Sequence, residues 1–83
     1  MKKKIIFIVP AHNEEQSLKK VICSLKKYGE VITINDNSND KTGFIANKYS
    51  NYVINNKKKL GYDCSVRIGI KFALKKLKKK EII

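Results

Sequence analysis

The segment that most constrains the fold is a run of apolar residues close to the N-terminus. Residues 4–9 read KIIFIV, and Pro10 follows them directly. A strand that is apolar on both faces has to be covered on both faces, which is typical of parallel sheets flanked by helices. Because proline cannot donate to a strand ladder, we expect the strand to end before Pro10. This segment therefore predicts a central strand of an α/β fold.

The rest of the chain alternates between helix and strand patterns. Helices are predicted over residues 14–28, 41–50 and 63–79, and strands over residues 30–35, 52–55 and, as a stub, 81–83. Asn13 and Gln16 resemble a capping box for the first helix, and Gly29 is expected to stop it. Right-handed crossovers would join these elements into a doubly wound βαβαβα parallel sheet. We predict one domain over residues 1–83, truncated at the start of its fourth strand.

Apolar residues at three- and four-residue spacing predict the buried face of each helix. The stripes are Leu18, Val21, Ile22 and Leu25, then Ile45 and Tyr49, then Val66, Ile70, Ala73, Leu74 and Leu77. Cys23 is expected in the core, and Cys64 is expected to serve packing. These two cysteines form no CxxC pair, so we predict no metal site and a reduced, cytoplasmic protein.

The charge of the chain suggests an anionic partner without identifying one. Lys and Arg number 19 against 7 Asp and Glu, which gives a net charge of +12. Arg67 is the only arginine, whereas sequence-reading nucleic-acid sites favour arginine. Lysine, isoleucine and asparagine also share AT-rich codons, so genomic base composition can produce the same bias. No apolar run approaches the roughly 20 residues that span a bilayer.

Polar clusters follow the three predicted strands, at the edge where open α/β sheets bind ligands. The first turn has no glycine and places Glu14 where an anion would sit, which excludes a GxGxxG dinucleotide site. Glu14 equally suits a helix N-terminus, where its charge is favourable. Asp36, after the second strand, can accept hydrogen bonds from a base N–H or a ribose hydroxyl. After the third strand, a diphosphate could be received by Lys57, Lys58, Lys59, Gly61 and Arg67.

These clusters resemble the motifs of family 2 glycosyltransferases of the GT-A fold. IVPAHNEE at residues 8–15 resembles the opening motif, INDNSNDKT at 34–42 the second, and LGYDCSVRIG at 60–69 the third. The three motifs occur in the family's order along nearly the whole chain. The subgroup that the chain resembles contains polyprenyl-phosphate glycosyltransferases similar to dolichol-phosphate mannose synthase.

The resemblance implies a site for a nucleotide-diphospho-sugar donor, either UDP- or GDP-linked. The implied binding residues are Pro10, Ala11, His12, Asn13 and Glu14 at the nucleotide, Asp36 at the base, and Gly61 and Arg67 near the diphosphate. It also implies transfer of the sugar to a polyprenyl phosphate or a surface glycan. We expect such an enzyme in the cytoplasm or peripheral to the inner face of the membrane.

The chain departs from the family pattern where catalysis would need it most. Asn35 replaces the usual first Asp of the second motif, Asn37 replaces a Gly, and Asp63 replaces a Gly of the third motif. No Asp-x-Asp metal motif occurs in the chain, so Mg²⁺ or Mn²⁺ is expected only for a full-length enzyme. We predict no metal ligand and no catalytic residue here, and negligible transferase activity for the 83-residue chain alone.

Two other interpretations remain open. The chain also fits a non-catalytic fragment from a split or frameshifted gene, lacking a C-terminal half and binding nucleotide weakly. It further fits a small basic nucleic-acid-binding protein, whose affinity would fall steeply with salt concentration. The tyrosines show no spacing that would form one stacking platform, so we expect no nucleic-acid partner.

Overall fold

A computed structural model describes residues 5–76 and 81–82 of the chain. In this part of the chain, strands and helices alternate: β1 (Ile5–Ala11), α1 (Leu18–Leu25), β2 (Glu30–Asn35), α2 (Thr42–Tyr49), β3 (Tyr52–Asn55), α3 (Tyr62–Lys76) and β4 (Glu81–Ile82). All strand pairs are parallel, and the sheet order is β3-β2-β1-β4. The α/β prediction is therefore confirmed, with a Rossmann-like parallel sheet.

The register of the sheet brings the ends of three strands together. Ala11 of β1 is level with Asn35 of β2, and Asn35 is level with Asn55 of β3. The polar clusters that follow these strands consequently meet at one edge. The bounds of β2 and β3 are those predicted from the sequence, and β2 is buried from Val31 to Ile34.

The prediction that β1 ends before Pro10 is wrong, because the strand continues to Ala11. The Ala11 carbonyl accepts from the Asp36 N–H at 2.8 Å, so Ala11 directs its backbone polar groups toward β2. Successive residues of a strand direct these groups to opposite neighbours. The nitrogen of Pro10 therefore faces the side where β4 pairs only with Ile5 and Ile6. No N–H is needed there, which is the condition under which a strand tolerates proline.

The sheet is covered on both faces, as its apolar strands require. On one face, α1 and α2 pack through buried residues that include Leu18, Ile22 and Ala46. On the other face, α3 packs on Ile6, Ile32 and Ile34 through its own residues, among them Ala73 and Phe72. Ile45 and Tyr49 pack inward as predicted.

The predicted start of the first helix is wrong. Ser17 precedes the first helical residue, and its side chain makes no capping hydrogen bond. Asn13 has a positive φ of 51°, and its N–H and its Oδ1 both form hydrogen bonds with the loop after β2, so no capping box with Gln16 forms. The helix also ends at Leu25, and the Gly29 N–H reaches back to the Leu25 carbonyl at 3.2 Å.

The predicted buried face of α3 is also wrong in part. Ile70 and Leu74 are exposed, and the buried line along the helix is Ser65, Gly69 and Ala73. Small side chains occupy this line because α3 lies very close to the sheet. Leu77 lies outside the described residues. On α1, Val21 is exposed as well, so the helix turns a narrower apolar face inward than its sequence indicates.

Neither cysteine lies where the sequence predicted. Cys23 is exposed on α1, because it follows the buried Ile22 and points about 100° away from it around the helix. Cys64 is exposed in the first turn of α3 and does not serve core packing. Among the described residues, no helix combines the length and the apolar content needed to cross a bilayer.

Candidate functional site

A cleft of about 200 Å³ lies at the edge of the sheet where β1 and β2 end. Its lining comes from the turn after β1, the turn after β2 and the segment that enters α3. The residues that line it are Pro10, Ala11, His12, Glu14, Asp36, Lys59, Gly61, Tyr62 and Ser65. Six of the eight residues implied by the family resemblance are among them. The sequence motifs therefore converge in space, as parallel strands with aligned carboxyl ends require.

The Asp36 side chain is the most constrained group of this cleft. Only 4% of the residue is exposed, and both carboxylate oxygens accept hydrogen bonds from the loop after β3. Oδ1 accepts from the Asn56 amide at 2.9 Å and from the Leu60 N–H at 2.8 Å. Oδ2 accepts from the Gly61 N–H at 2.9 Å. Asp36 thus connects the polar cluster that follows β2 to the polar cluster that follows β3.

These contacts keep Asp36 ionised. Burial raises the pKa of the carboxyl, but the hydrogen bonds from Leu60, Asn56 and Gly61 lower it by more. The neighbouring His12 ring acts in the same direction. The net result is a pKa below the ordinary value of 3.8. A buried carboxylate that receives several N–H donors is stabilised in its charged form.

Gly61 allows the backbone to present two N–H groups to this carboxylate. Its φ is +92°, and a Cβ built on it would contact nothing within 4 Å. A glycine is therefore favoured at this position because of its positive φ, and not because a side chain would clash with neighbouring atoms. Successive N–H groups in such a bend form a small anion-binding concavity, and here Asp36 fills it. Gly61 lines the cleft, but its N–H is already engaged.

His12 is fixed in one tautomer by its two ring contacts. Nδ1 lies 2.7 Å from the Asp36 carbonyl oxygen, which can only accept, so Nδ1 carries the proton. Nε2 lies 3.3 Å from the Asn13 amide nitrogen and accepts from it. The ring is half-buried and forms part of the cleft wall.

The turns after β1 and β2 are clasped together by reciprocal hydrogen bonds. The Asn13 N–H donates to the Ser38 hydroxyl at 2.9 Å, and the Asn39 N–H donates to Asn13 Oδ1 at 2.8 Å. The Glu14 N–H donates to the Thr42 hydroxyl at 2.8 Å. The backbone donors of the turn that precedes α1 are thus satisfied by the turn after β2.

A second part of the clasp centres on Asp40. The Thr42 hydroxyl and the Thr42 N–H both donate to Asp40 Oδ1, and the Glu15 N–H donates to Oδ2 at 3.3 Å. The Lys41 N–H in turn donates to Glu15 Oε1 at 2.9 Å. Motif residues of the turns after β1 and β2 therefore hold these two turns together at the rim of the cleft. Most of these residues do not line the cleft itself.

Two of the implied site residues lie outside the cleft lining. Asn13 borders a separate depression formed with residues 14–17 and Asp40. Arg67 is exposed on α3 and borders a groove that also includes Leu60 and Cys64. Residue type and motif position indicated Arg67, but it does not line the cleft that contains Asp36.

The cleft also contains residues that the sequence did not single out. Tyr62 and Ser65 line it from the first turn of α3. Their positions one and four residues after Gly61 were the available signal in the sequence. Lys59 is one of three consecutive lysines that the sequence indicated equally as contacts for a diphosphate. Only the geometry of the loop distinguishes it, because Lys57 and Lys58 do not line the cleft.

The residues of the cleft do not fit a metal ion. No group of three or more His, Cys, Asp or Glu side chains comes together anywhere in the described ranges. Three N–H donors already bind the Asp36 carboxylate, so at most one of its acceptor positions is left for a cation. Asn35, which stands where the family usually has Asp, donates its amide to Asn55 Oδ1 at 2.9 Å. The local chemistry is that of a hydrogen-bonded carboxylate and not of a metal ligand.

Comparison with known proteins places these observations in a family. The family model described as "Glycosyl transferase family 2" matches residues 6–77. The chain is 35% identical over 86 residues to "Uncharacterized protein MJ0544" of Methanocaldococcus jannaschii, covering 95% of this chain and 38% of that protein. It is 38% identical over 53 residues to "Probable glycosyltransferase YdaM" of Bacillus subtilis, covering 57% of this chain and 13% of that protein. The chain thus spans less than half the length of either relative.

Proposed function

Because the chain belongs to glycosyltransferase family 2, we propose that its cleft binds the nucleotide of a nucleotide-diphospho-sugar donor. The observation that carries the proposal is the convergence of the three motifs on one cleft. His12 from the first motif, Asp36 from the second and Gly61 from the third line it together. Pro10 and Ala11 supply an apolar wall and His12 a ring, which suits a planar base.

Asp36 is the group that we assign to reading the base. An ionised carboxylate offers about four acceptor positions. Three are filled by Asn56, Leu60 and Gly61, two on Oδ1 and one on Oδ2. One position on Oδ2 therefore remains for a ligand.

This count favours uracil over guanine. Uracil presents one N–H, at N3, on its pairing edge, whereas guanine presents two adjacent donors that a carboxylate binds with both oxygens. A single free acceptor position matches uracil and leaves one guanine donor unsatisfied. An unsatisfied buried donor costs about 1–3 kcal/mol. We therefore propose a UDP-linked donor over a GDP-linked one.

The proposal for the complete enzyme extends beyond this chain. We propose transfer of the donor sugar to a polyprenyl phosphate or a surface glycan, at the cytoplasmic side of the membrane. Sugar transfer needs neutralisation of the leaving diphosphate, which Mg²⁺ or Mn²⁺ supplies in many enzymes. Since the described residues do not form a metal site, we propose that residues outside them hold the ion and the acceptor. The chain alone is then a donor-binding unit without transferase activity.

Nuclear magnetic resonance titration of the labelled 83-residue chain tests this proposal. We expect UDP to shift the amide signals of residues 11–14, Asp36 and Gly61, and to bind more tightly than GDP. The matched pair of variants is Asp36→Asn, which should weaken binding, and Asp63→Asn, an exposed carboxyl on α3 that should not. Absence of any shift in the cleft at millimolar UDP would overturn nucleotide binding. Sugar transfer by the purified chain would overturn the assignment as a unit without activity.

The nucleic-acid interpretation lacks an aromatic surface on which to rest. Tyr49 packs against the core of one sheet face and Tyr52 against the core of the other. Tyr28 and Tyr62 are exposed, but they lie on different elements, one after α1 and one in α3. Single-strand binding sites stack successive bases on neighbouring rings, and these four tyrosines provide no such row.

A further inference from the structure

The loop after β3 is held to the sheet edge by Asp36. Its first residue, Asn56, and its last two, Leu60 and Gly61, donate the hydrogen bonds to the carboxylate. Asn56 also donates to the buried Ser65 hydroxyl at 3.2 Å, which connects the loop to α3. The two ends of the loop are therefore anchored at one point, although its lysines are exposed.

Lys59 directly precedes the two anchored N–H groups. It is the one lysine or arginine side chain that lines the cleft within the part of the chain that the structure describes. The acidic side chains in the lining are Glu14 and Asp36, and the charge of Asp36 is compensated by its N–H donors. A diphosphate entering the cleft thus meets one cation, whose position depends on the backbone of Leu60 and Gly61.

We propose that Lys59 neutralises the diphosphate of the donor and that Asp36 is its positioning residue. This inference rests on the proposed nucleotide binding. Asp36 fixes the Leu60 and Gly61 N–H groups, and the short connection from Leu60 to Lys59 fixes the lysine at the cleft. The role is distinct from a contact with the base, because it acts on the charged end of the nucleotide and through another residue.

The two roles of Asp36 predict different responses to uridine, UMP and UDP. Loss of a base contact weakens all three ligands by the same factor. Loss of Lys59 positioning weakens UDP most, because its diphosphate carries the charge that the lysine attracts. The ratio of the UMP and UDP dissociation constants therefore measures positioning, and the uridine affinity measures the base contact.

The experiment measures these affinities for the 83-residue chain and five variants by amide titration at low salt. For the natural sequence, we expect UDP to bind about fivefold more tightly than UMP, the effect of one unit charge at contact distance in water. Lys59→Gln should reduce this preference to below about twofold, and Lys59→Arg should restore it. Lys58→Gln, which removes an equal charge from an exposed lysine outside the cleft lining, should leave the preference unchanged.

Asp36→Asn tests positioning directly. The introduced side-chain amide would direct its own N–H groups at the Gly61 or Leu60 N–H, so at least one of the hydrogen bonds that hold the loop would be lost. We expect it to lose the UDP preference although Lys59 is present. Asn56→Ala loosens the same loop and keeps the carboxylate, so it should reduce the UDP preference without weakening uridine. This second variant carries the test if Asp36→Asn does not fold.

The possible failures are distinguishable. An unchanged UDP preference in Asp36→Asn and Asn56→Ala, or in Lys59→Gln, would overturn the positioning role and leave nucleotide binding intact. Absence of uridine and UMP binding to the natural sequence would overturn the proposed function itself.

Discussion

Gly69 of α3 lies directly against Ile8 of β1. A Cβ on Gly69 would stand 2.5 Å from Ile8 Cγ2 and 2.8 Å from Ile34 Cδ1. These distances are well below ordinary van der Waals contact, so the absence of a side chain at Gly69 sets the spacing between helix and sheet. The close approach also brings the start of α3 to the cleft, where Tyr62 and Ser65 contribute to its lining.

Replacing Gly69 by alanine should destabilise the protein. Alanine favours a helix over glycine by about 1 kcal/mol, but forcing a methyl group into a filled core costs about 1–3 kcal/mol. We expect a net loss of roughly 1 kcal/mol, measured by urea unfolding. Leu74→Ala, on the exposed face of the same helix, is the control and should change stability little. A Gly69→Ala variant more stable than the natural sequence would contradict the close packing.

The Thr42 hydroxyl should be required for the clasp between the two turns. It accepts from the Glu14 N–H and donates to Asp40. Thr42→Val keeps the shape and leaves the Glu14 N–H without this partner, at a cost of about 1–3 kcal/mol. We expect a lower urea midpoint and faster hydrogen exchange at the Glu14 amide. Thr42→Ser retains the hydroxyl and should restore most of the protection; equal loss in both variants would assign the effect to packing.

Both thiols should react in the folded state. Cys23 and Cys64 are free and exposed, in contrast to the core and packing roles that the sequence indicated. A chromogenic disulfide reagent such as dithionitrobenzoate should therefore modify two thiols per chain without denaturant. Cys23→Ser and Cys64→Ser should each remove one equivalent. A thiol that reacts only after urea is added would show that its cysteine is buried.

The fold was largely predictable because its signals are local. The strand patterns of residues 30–35 and 52–55 indicated β2 and β3 with their observed bounds, and the alternation with helices indicated a parallel sheet. The buried face of α3 was not predictable from its apolar residues, because close packing against Ile8 selects small residues. Likewise, Asn13 has a good capping side chain, but its Oδ1 accepts a hydrogen bond from the Asn39 N–H, which is distant in sequence, and does not cap the helix.

The position of the candidate site was predictable from the sequence, but the contacts that its residues make were less so. Motif positions brought His12, Glu14, Asp36 and Gly61 to one cleft because strand ends align in a parallel sheet. Periodicity alone did not show that Arg67 lies outside the cleft. Nor did it show that the Asp36 carboxylate accepts hydrogen bonds from the loop after β3, because those contacts depend on the conformation of a loop that begins 20 residues further along the chain.

Acid should destabilise this fold through Asp36 and Asp40. For Asp36, burial raises the pKa but the hydrogen bonds from Leu60, Asn56 and Gly61 outweigh it, and the pKa lies below 3.8. For Asp40, the hydrogen bond from the Thr42 hydroxyl lowers the pKa by more than burial raises it, so its pKa also lies below 3.8. A carboxyl whose pKa is lower in the folded state stabilises the fold at pH values above its unfolded pKa. That contribution is lost as the pH falls through the folded pKa.

We therefore expect a nearly constant urea midpoint between about pH 5 and 7 and a fall below about pH 4. Asp36→Asn should lower stability at neutral pH and flatten the fall in acid, since one of the groups that take up protons on unfolding is gone. The Asp36→Asn and natural curves should consequently approach each other as the pH decreases. Asp63→Asn, at an exposed position outside both hydrogen-bond networks, serves as the matched control. Parallel curves for Asp36→Asn and the natural sequence down to acid pH would show that the carboxylate gains nothing from its three donors.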